Sequence, residues 1–167
     1  KVFQPSESNH GLTNNEINEL CGDKNGRMYI RSGNDLIKLD IYTEQFTCLR
    51  QKGVYGLFCK KDTLWVSCAD GIYYYTGQGT ELTFFARVQK GFVGRALYVD
   101  RETVWVVTRK YLVAISREDP LRQEILLTLD KGNCILGDSS GNIWVGAWNG
   151  LYRVSPDRET TAYVSHS

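Results

Sequence analysis

Three stretches of the chain are apolar without alternation: "LWV" at 64–66, "VWVV" at 104–107 and "IWV" at 143–145, with "MYI" at 28–30 as a fourth of the same kind. A strand covered on one face alternates apolar and polar side chains, so consecutive apolar residues predict strands covered on both faces. Each run sits in the same local order. A short apolar segment comes first: "INELC" from Ile17, "VYGLFC" from Val54, "VGRALYV" from Val93 and "NCIL" from Asn133. A turn rich in Asp and Gly follows, such as "DKNG" or "DSSG", whose residues tolerate the positive φ values of tight hairpins. After the anchor run, a second turn leads to "LIKL", "IYYY", "YLVAI" or "LYRV", and a polar turn precedes a last strand around Phe46, Phe84, Ile125 and Tyr163. The pattern predicts four units of four strands.

The units are copies of one another. "DKNGRMYIRSGNDLIKL" (23–39) and "DSSGNIWVGAWNGLYRV" (138–154) share Asp, Gly, Asn and Leu at equal offsets, with matched character between them. The aromatic anchors Tyr29, Trp65, Trp105 and Trp144 are separated by 36 (29 to 65), 40 (65 to 105) and 39 (105 to 144) residues. A period near 40 is that of a four-stranded propeller blade. A two-layer sandwich would alternate more, because its sheets are covered on one face only. The expected fold is therefore all-β, a β-propeller of four-stranded antiparallel sheets. The repeats are set at 11–49, 50–88, 89–129 and 130–167, and residues 1–10 read as the last strand and loop of a preceding blade. That makes about four blades of a larger propeller.

The stretch "GLTNNEINELCGDKNGRMYIRSGNDLIKLDIYTEQF" (11–46) resembles the two-component regulator propeller repeat, which runs roughly G-L-x-x-N-x-I, D-x-x-G-x-[IL]-W-[IV]-G-T, then G-L and a final aromatic strand. "DSSGNIWVGAWNGLYRV" is the closest match, and the two middle units are degenerate. The resemblance covers nearly the whole chain. It implies a place in the periplasmic sensor region of a bacterial hybrid two-component histidine kinase, an inner-membrane protein in which such propellers precede an all-β spacer, a membrane helix and a kinase. It also implies recognition of oligosaccharides released from complex glycans.

Composition narrows the partners. Twenty Lys and Arg against nineteen Asp and Glu leave a net charge of +1, which gives no electrostatic reason to expect nucleic acid or an anionic membrane. No apolar run approaches the roughly 18 residues of a membrane span. The chain opens on "KVFQPSESNHG" and its only methionine is Met28, so it reads as a piece of a longer protein whose targeting signals would lie elsewhere. Cys21, Cys48, Cys59, Cys68 and Cys134 form no C-x-x-C, which argues against a zinc site. They read as small buried hydrophobes in strands, with a single disulfide left open and no pair chosen by spacing.

Catalytic chemistry finds little to use. His10 and His166 sit near the two ends, where repeat geometry does not bring them together, and read as solvated loop residues. "GQG" at 77–79 falls where a hairpin turn belongs and precedes no helix. "DKNG" lacks the Glu that closes a calcium loop at its twelfth position. No catalytic residue, metal site or cofactor is assigned.

One set of positions is better placed. Successive strands of a blade run antiparallel, so the loops after second and fourth strands share one face. That face collects Asn14, Asn15, Asn34, Asp70, Arg109, Lys110, Trp148 and Asn149. Amide and charged groups beside an aromatic ring suit a sugar, whose hydroxyls take hydrogen bonds while its C–H face packs on the ring. Asn34, Asp70, Arg109, Trp148 and Asn149 are the candidate ligand-binding residues. Trp148 alone among the tryptophans falls in a predicted loop, where it either packs against a neighbouring blade or faces a ligand. The expected function is non-catalytic sensing of an oligosaccharide, with self-association or neighbouring blades as further partners. The alternatives are a protein-interaction propeller and, behind it, a propeller lyase or hydrolase.

Overall fold

The computed structural model describes residues 11–50 and 52–164. The stretch read as the end of a preceding blade, residues 1–10, lies outside the described residues, and so do His10 and His166. Among the described residues, sixteen strands form four antiparallel four-stranded sheets, each in simple sequence order. The first sheet is β1 (Ile17–Gly22), β2 (Arg27–Ser32), β3 (Asp35–Asp40) and β4 (Gln45–Arg50). The second is β5 (Val54–Lys60), β6 (Thr63–Cys68), β7 (Gly71–Tyr75) and β8 (Thr83–Ala86). The third is β9 (Gly94–Val99), β10 (Thr103–Thr108), β11 (Tyr111–Ser116) and β12 (Gln123–Thr128), and the fourth β13 (Cys134–Gly137), β14 (Ile143–Ala147), β15 (Gly150–Val154) and β16 (Thr160–Tyr163). Among the described residues the only helical piece is a 3-10 turn, Gln89–Gly91. The sheets have the make-up of propeller blades, as the spacing of the anchors predicts.

The anchors occupy equivalent places. Each lies on its sheet's second strand and faces the third at one fixed offset: Tyr29 with Lys38, Trp65 with Tyr74, Trp105 with Ala114 and Trp144 with Arg153. The repeated Asp explains why the turn and the ring recur together. Asp100 accepts the Trp105 indole N–H at 2.6 Å, Asp138 accepts that of Trp144 at 2.8 Å, and Asp23 accepts the Tyr29 hydroxyl at 3.3 Å. The same carboxylates also take backbone N–H groups of their own turns, such as Asn142 N–H on Asp138 at 2.9 Å. One side chain thus closes the hairpin and satisfies the polar atom that a buried indole must bring with it.

The chain divides into two compact units, Lys1–Phe85 and Ala86–Ser167. In the first, Tyr29, Leu36, Leu57, Leu64, Val66 and Tyr75 form the main core, with Tyr29 edge-on to Tyr75 at 6.0 Å between ring centres. Its first strands are tied as well, since Leu57 N–H donates to the Glu19 carboxylate at 3.0 Å. In the second, Trp105, Val107, Leu112 and Ala114 of the third sheet pack with Ile143, Val145, Tyr152 and Val154 of the fourth.

The cysteines depart from expectation. Cys68 alone is fully buried, Cys21 and Cys59 are half-buried against the core of the first unit, and Cys48 and Cys134 are exposed. The exposed pair sits on β4 and β13, each at the edge of its sheet, where a side chain has strand on one flank only. All five are free thiols. A hydrogen bond with Cys59, reinforced by burial, pushes the Cys21 thiol far above its ordinary range.

Candidate functional site

The loops between second and third strands are two-residue turns in every sheet: Gly33–Asn34, Ala69–Asp70, Arg109–Lys110 and Trp148–Asn149. All five candidate residues therefore fall in equivalent turns. Arg109 and Trp148 share the first turn position, and Asn34, Asp70 and Asn149 share the second. Within each unit, the connection between its two sheets draws the turns together by backbone hydrogen bonds.

In the first unit, Val54 N–H donates to the Asn34 carbonyl at 3.0 Å and Ala69 N–H to that of Gly53 at 2.8 Å. Asp70 is already committed there. Arg50 and the Tyr73 hydroxyl each donate to its carboxylate at 2.8 Å, and the guanidinium lies 4.7 Å from the Tyr73 ring centre. Burial pushes the Asp70 carboxyl up, but the Tyr73 and Arg50 bonds outweigh it and hold it below the usual range. Asn34 is exposed beside this paired cluster.

The second unit is arranged differently. Gly132 N–H donates to the Arg109 carbonyl at 3.1 Å, and Leu129 N–H to that of Lys110 at 2.7 Å. From the other turn, Trp148 N–H donates to the Asp130 carbonyl at 2.8 Å, and the Asn149 side chain accepts the Asp130 N–H at 3.3 Å. Asn149 is thus a strut of the connection. Between the turns lies a cavity of about 420 Å³, lined by Arg95, Arg109, Lys131, Asn133, Cys134 and Trp148 with Gly132, Gly146 and Ala147. That volume falls in the range of small-ligand sites, about 300–1,000 Å³. Trp148 is 78% exposed, so it packs against neither sheet, and its ring carries the Lys131 ammonium at 4.8 Å from the ring centre. Two of the lining glycines sit where their neighbours leave no room for a side chain. A Cβ on Gly132 would stand 2.4 Å from the Thr108 carbonyl oxygen, and one on Gly146 2.5 Å from Cys134 Sγ.

A larger cavity, about 650 Å³, lies elsewhere in the same unit, lined among others by Arg101, Arg117, Arg122 and Arg158 together with Glu102, Glu118 and Glu124. Its charges answer one another. Arg158 pairs with Glu124, and Arg117 donates to the Asp100 and Arg101 carbonyls at 3.0 and 2.9 Å. The smaller cavity has an aromatic face and cations without a lining carboxylate, so it is the better binding candidate.

Lys131, Arg95 and Asn133 were not among the sequence candidates. A signal for Lys131 was nonetheless present. The connections between successive sheets read "QKG" (51–53), "QKG" (89–91) and "DKG" (130–132). The lysine of each takes a left-handed conformation, with φ of 64° at Lys52, 57° at Lys90 and 49° at Lys131. Residues with a side chain seldom adopt that region, and glycine is the ordinary choice there. Among the described residues no group of three His, Cys, Asp or Glu side chains could hold a metal ion, and no helix is long and apolar enough to cross a membrane.

No protein-family model matches the chain, and no curated protein does. Solved structures do. The chain is similar to the extracellular domain assigned to the hybrid two-component system BT3049 from B. thetaiotaomicron, with a TM-score of 0.80 and 19% identity over 99% of this chain and 26% of that one. It is likewise similar to the extracellular domain assigned to the hybrid two-component system BT4673 of the same organism, with a TM-score of 0.75 and 16% identity over 99% of this chain and 24% of that one. A virginiamycin B lyase from Staphylococcus aureus gives a TM-score of 0.71 and 16% identity, over 94% of this chain and 59% of the lyase. At such identities the likeness is one of fold. The chain spans about a quarter of the length of the two sensor-system domains it matches.

Proposed function

We propose that the chain is part of the extracellular, periplasm-facing sensor region of a bacterial two-component regulator, and that it binds an oligosaccharide without transforming it. Binding would alter the contacts of the sensor region and so reach a histidine kinase. Two lines support the reading: the fold likeness to the BT3049 and BT4673 extracellular domains, and the chemistry of the cavity in the second unit. The observation that carries it is Trp148. Its indole is 78% exposed at the rim of the cavity, and an open aromatic face is a surface on which the C–H face of a sugar ring can pack. Asn133 and Arg109 supply hydrogen-bond donors for hydroxyls around that ring.

Calorimetric titration of oligosaccharides into the intact protein, with Trp148→Ala beside the native chain, tests this. The expected loss is about 1–3 kcal/mol of binding free energy, by analogy with base–aromatic stacking. Unchanged affinity in a folded variant would remove the cavity from the reading. The fold likeness to a virginiamycin B lyase favours a second reading, a propeller lyase. Turnover of virginiamycin B by the chain would favour it over sensing.

A further inference from the structure

The cavity beside Trp148 is chemically one-sided. Arg95, Arg109 and Lys131 all line it, and no carboxylate does. Asp130, next to Lys131 in the chain, offsets one charge, and Arg109 and Lys131 together still leave the opening net positive. A chain whose total charge is only +1 has gathered these cations around one opening. The backbone fixes where two of them sit. Arg109 stands at the first position of a two-residue turn whose carbonyl is fixed by Gly132 N–H, and Lys131 stands in a left-handed conformation one residue before that glycine. A neutral sugar needs none of this, because its hydroxyls are served by amides and by single charged groups. An anion does, since a guanidinium presents parallel donors to a carboxylate or sulfate and an ammonium adds a point charge.

We infer that the cavity takes an acidic saccharide, a sugar ring bearing a carboxylate or a sulfate ester, with the ring against Trp148 and the anionic group between Arg109 and Lys131. The inference rests on the reading of this cavity as an oligosaccharide site and names the class of sugar. Lys131 then has two roles, over the indole at 4.8 Å and toward the anion. Asn133 remains for a neighbouring hydroxyl.

The test is a titration of the full chain, read by calorimetry and by tryptophan fluorescence. Trp148 is the most exposed tryptophan, since Trp65 and Trp105 are 5% and 6% exposed and Trp144 is half-buried. The acidic probes are oligogalacturonate and hyaluronan oligosaccharides, which carry carboxylates, and κ-carrageenan oligosaccharides, which carry sulfate esters. The neutral probes are the first two after carboxyl reduction and the last after desulfation, with maltohexaose and xylohexaose. Binding by an acidic probe is expected, with quenching of Trp148, weakening as salt is raised and at least tenfold preference over its neutral counterpart, the carboxyl-reduced form of the first two probes or the desulfated form of the carrageenan. Carboxylate and sulfate sources are separated by which acidic probe binds. Arg109→Gln and Lys131→Gln should each weaken the acidic probe on the order of tenfold, and Lys131→Arg should retain it. Equal binding of acidic probes and their neutral counterparts, or binding by neutral probes only, would overturn the inference and leave the oligosaccharide reading in place. Binding by none of them would overturn both.

Discussion

The third and fourth sheets carry the same Asp–Trp hairpin, yet they differ in burial. Along β10 every residue from Thr103 to Thr108 is buried, whereas along β14 burial alternates and Trp144 is only half-covered. The fourth sheet is the closer match to the repeat, with "DSSGNIWVG" against "DRETVWVVT" in the third. Fidelity to the motif and depth in the core are therefore separate properties. The motif encodes the turn, the ring and their hydrogen bond, and these are local. Burial depends on what covers each face. One face of the fourth sheet packs on the third, while Leu136, Leu151 and Tyr163 of its strands remain exposed. Gly146 stands where the third sheet has Val107, and it leaves room for Cys134 beside the cavity.

Truncating the anchors would strain this comparison most. Trp105→Ala should destabilise by about 3–5 kcal/mol, as large core truncations do, because its ring is 6% exposed and packs on both sheets of the unit. Trp144→Ala should cost about 2 kcal/mol, since its half-covered ring leaves a smaller void and the Tyr163 ring stacked on it at 6.0 Å can settle. Denaturant melts of the two variants decide the matter. Equal costs would mean that the motif, rather than its cover, sets the energy.

A smaller effect belongs to the hairpin of the fourth sheet and depends on pH. Hydrogen bonds from the Trp144 indole, and next from Asn142, hold the Asp138 carboxyl at about 2, below its ordinary value near 3.8. The folded state therefore favours the carboxylate. The stability this supplies is complete above about pH 5 and is lost as pH falls through 3.8 toward 2. Native protein and Asp138→Asn compared by melting from pH 6 to 2 should differ by a constant amount at the upper end and converge at the lower. A gap that persists at pH 2 would assign the effect to packing.

Much of this architecture was legible in the chain. The anchor runs, the Asp-rich turns and the spacing near 40 are local signals, and each corresponds to a strand or hairpin in the structure. What stayed hidden depends on partners far away in sequence. Asp70, in a turn of the second sheet, reads as a free carboxylate until Arg50, 20 residues earlier at the end of the first sheet, is brought to pair with it. The exposure of Cys48 and Cys134 follows from their strands lying at sheet edges, which composition does not encode. Lys131 looks like one more polar loop residue unless the recurring K-G of the connections is followed, and its conformation, suited to glycine, shows only in the backbone. Trp148 was legible for a simple reason: it breaks the anchor spacing.

That same tryptophan provides the smallest expected effect and the sharpest contrast with Trp144, four residues before it. Both are indoles on one sheet. Trp144 is hydrogen-bonded to Asp138 and stacked on Tyr163, whereas Trp148 has the Lys131 ammonium over its ring and is otherwise open to solvent. An exposed side chain contributes little to folding, so Trp148→Ala should change stability by no more than about 0.5 kcal/mol in either direction. Its backbone bond to the Asp130 carbonyl survives the substitution, and the turn should keep its shape. Chemical denaturation measures the difference, and far-UV circular dichroism checks the strands. A loss approaching that of Trp144→Ala would make Trp148 a structural residue that holds the connection between the sheets. A neutral result would leave its exposed indole free to serve a ligand.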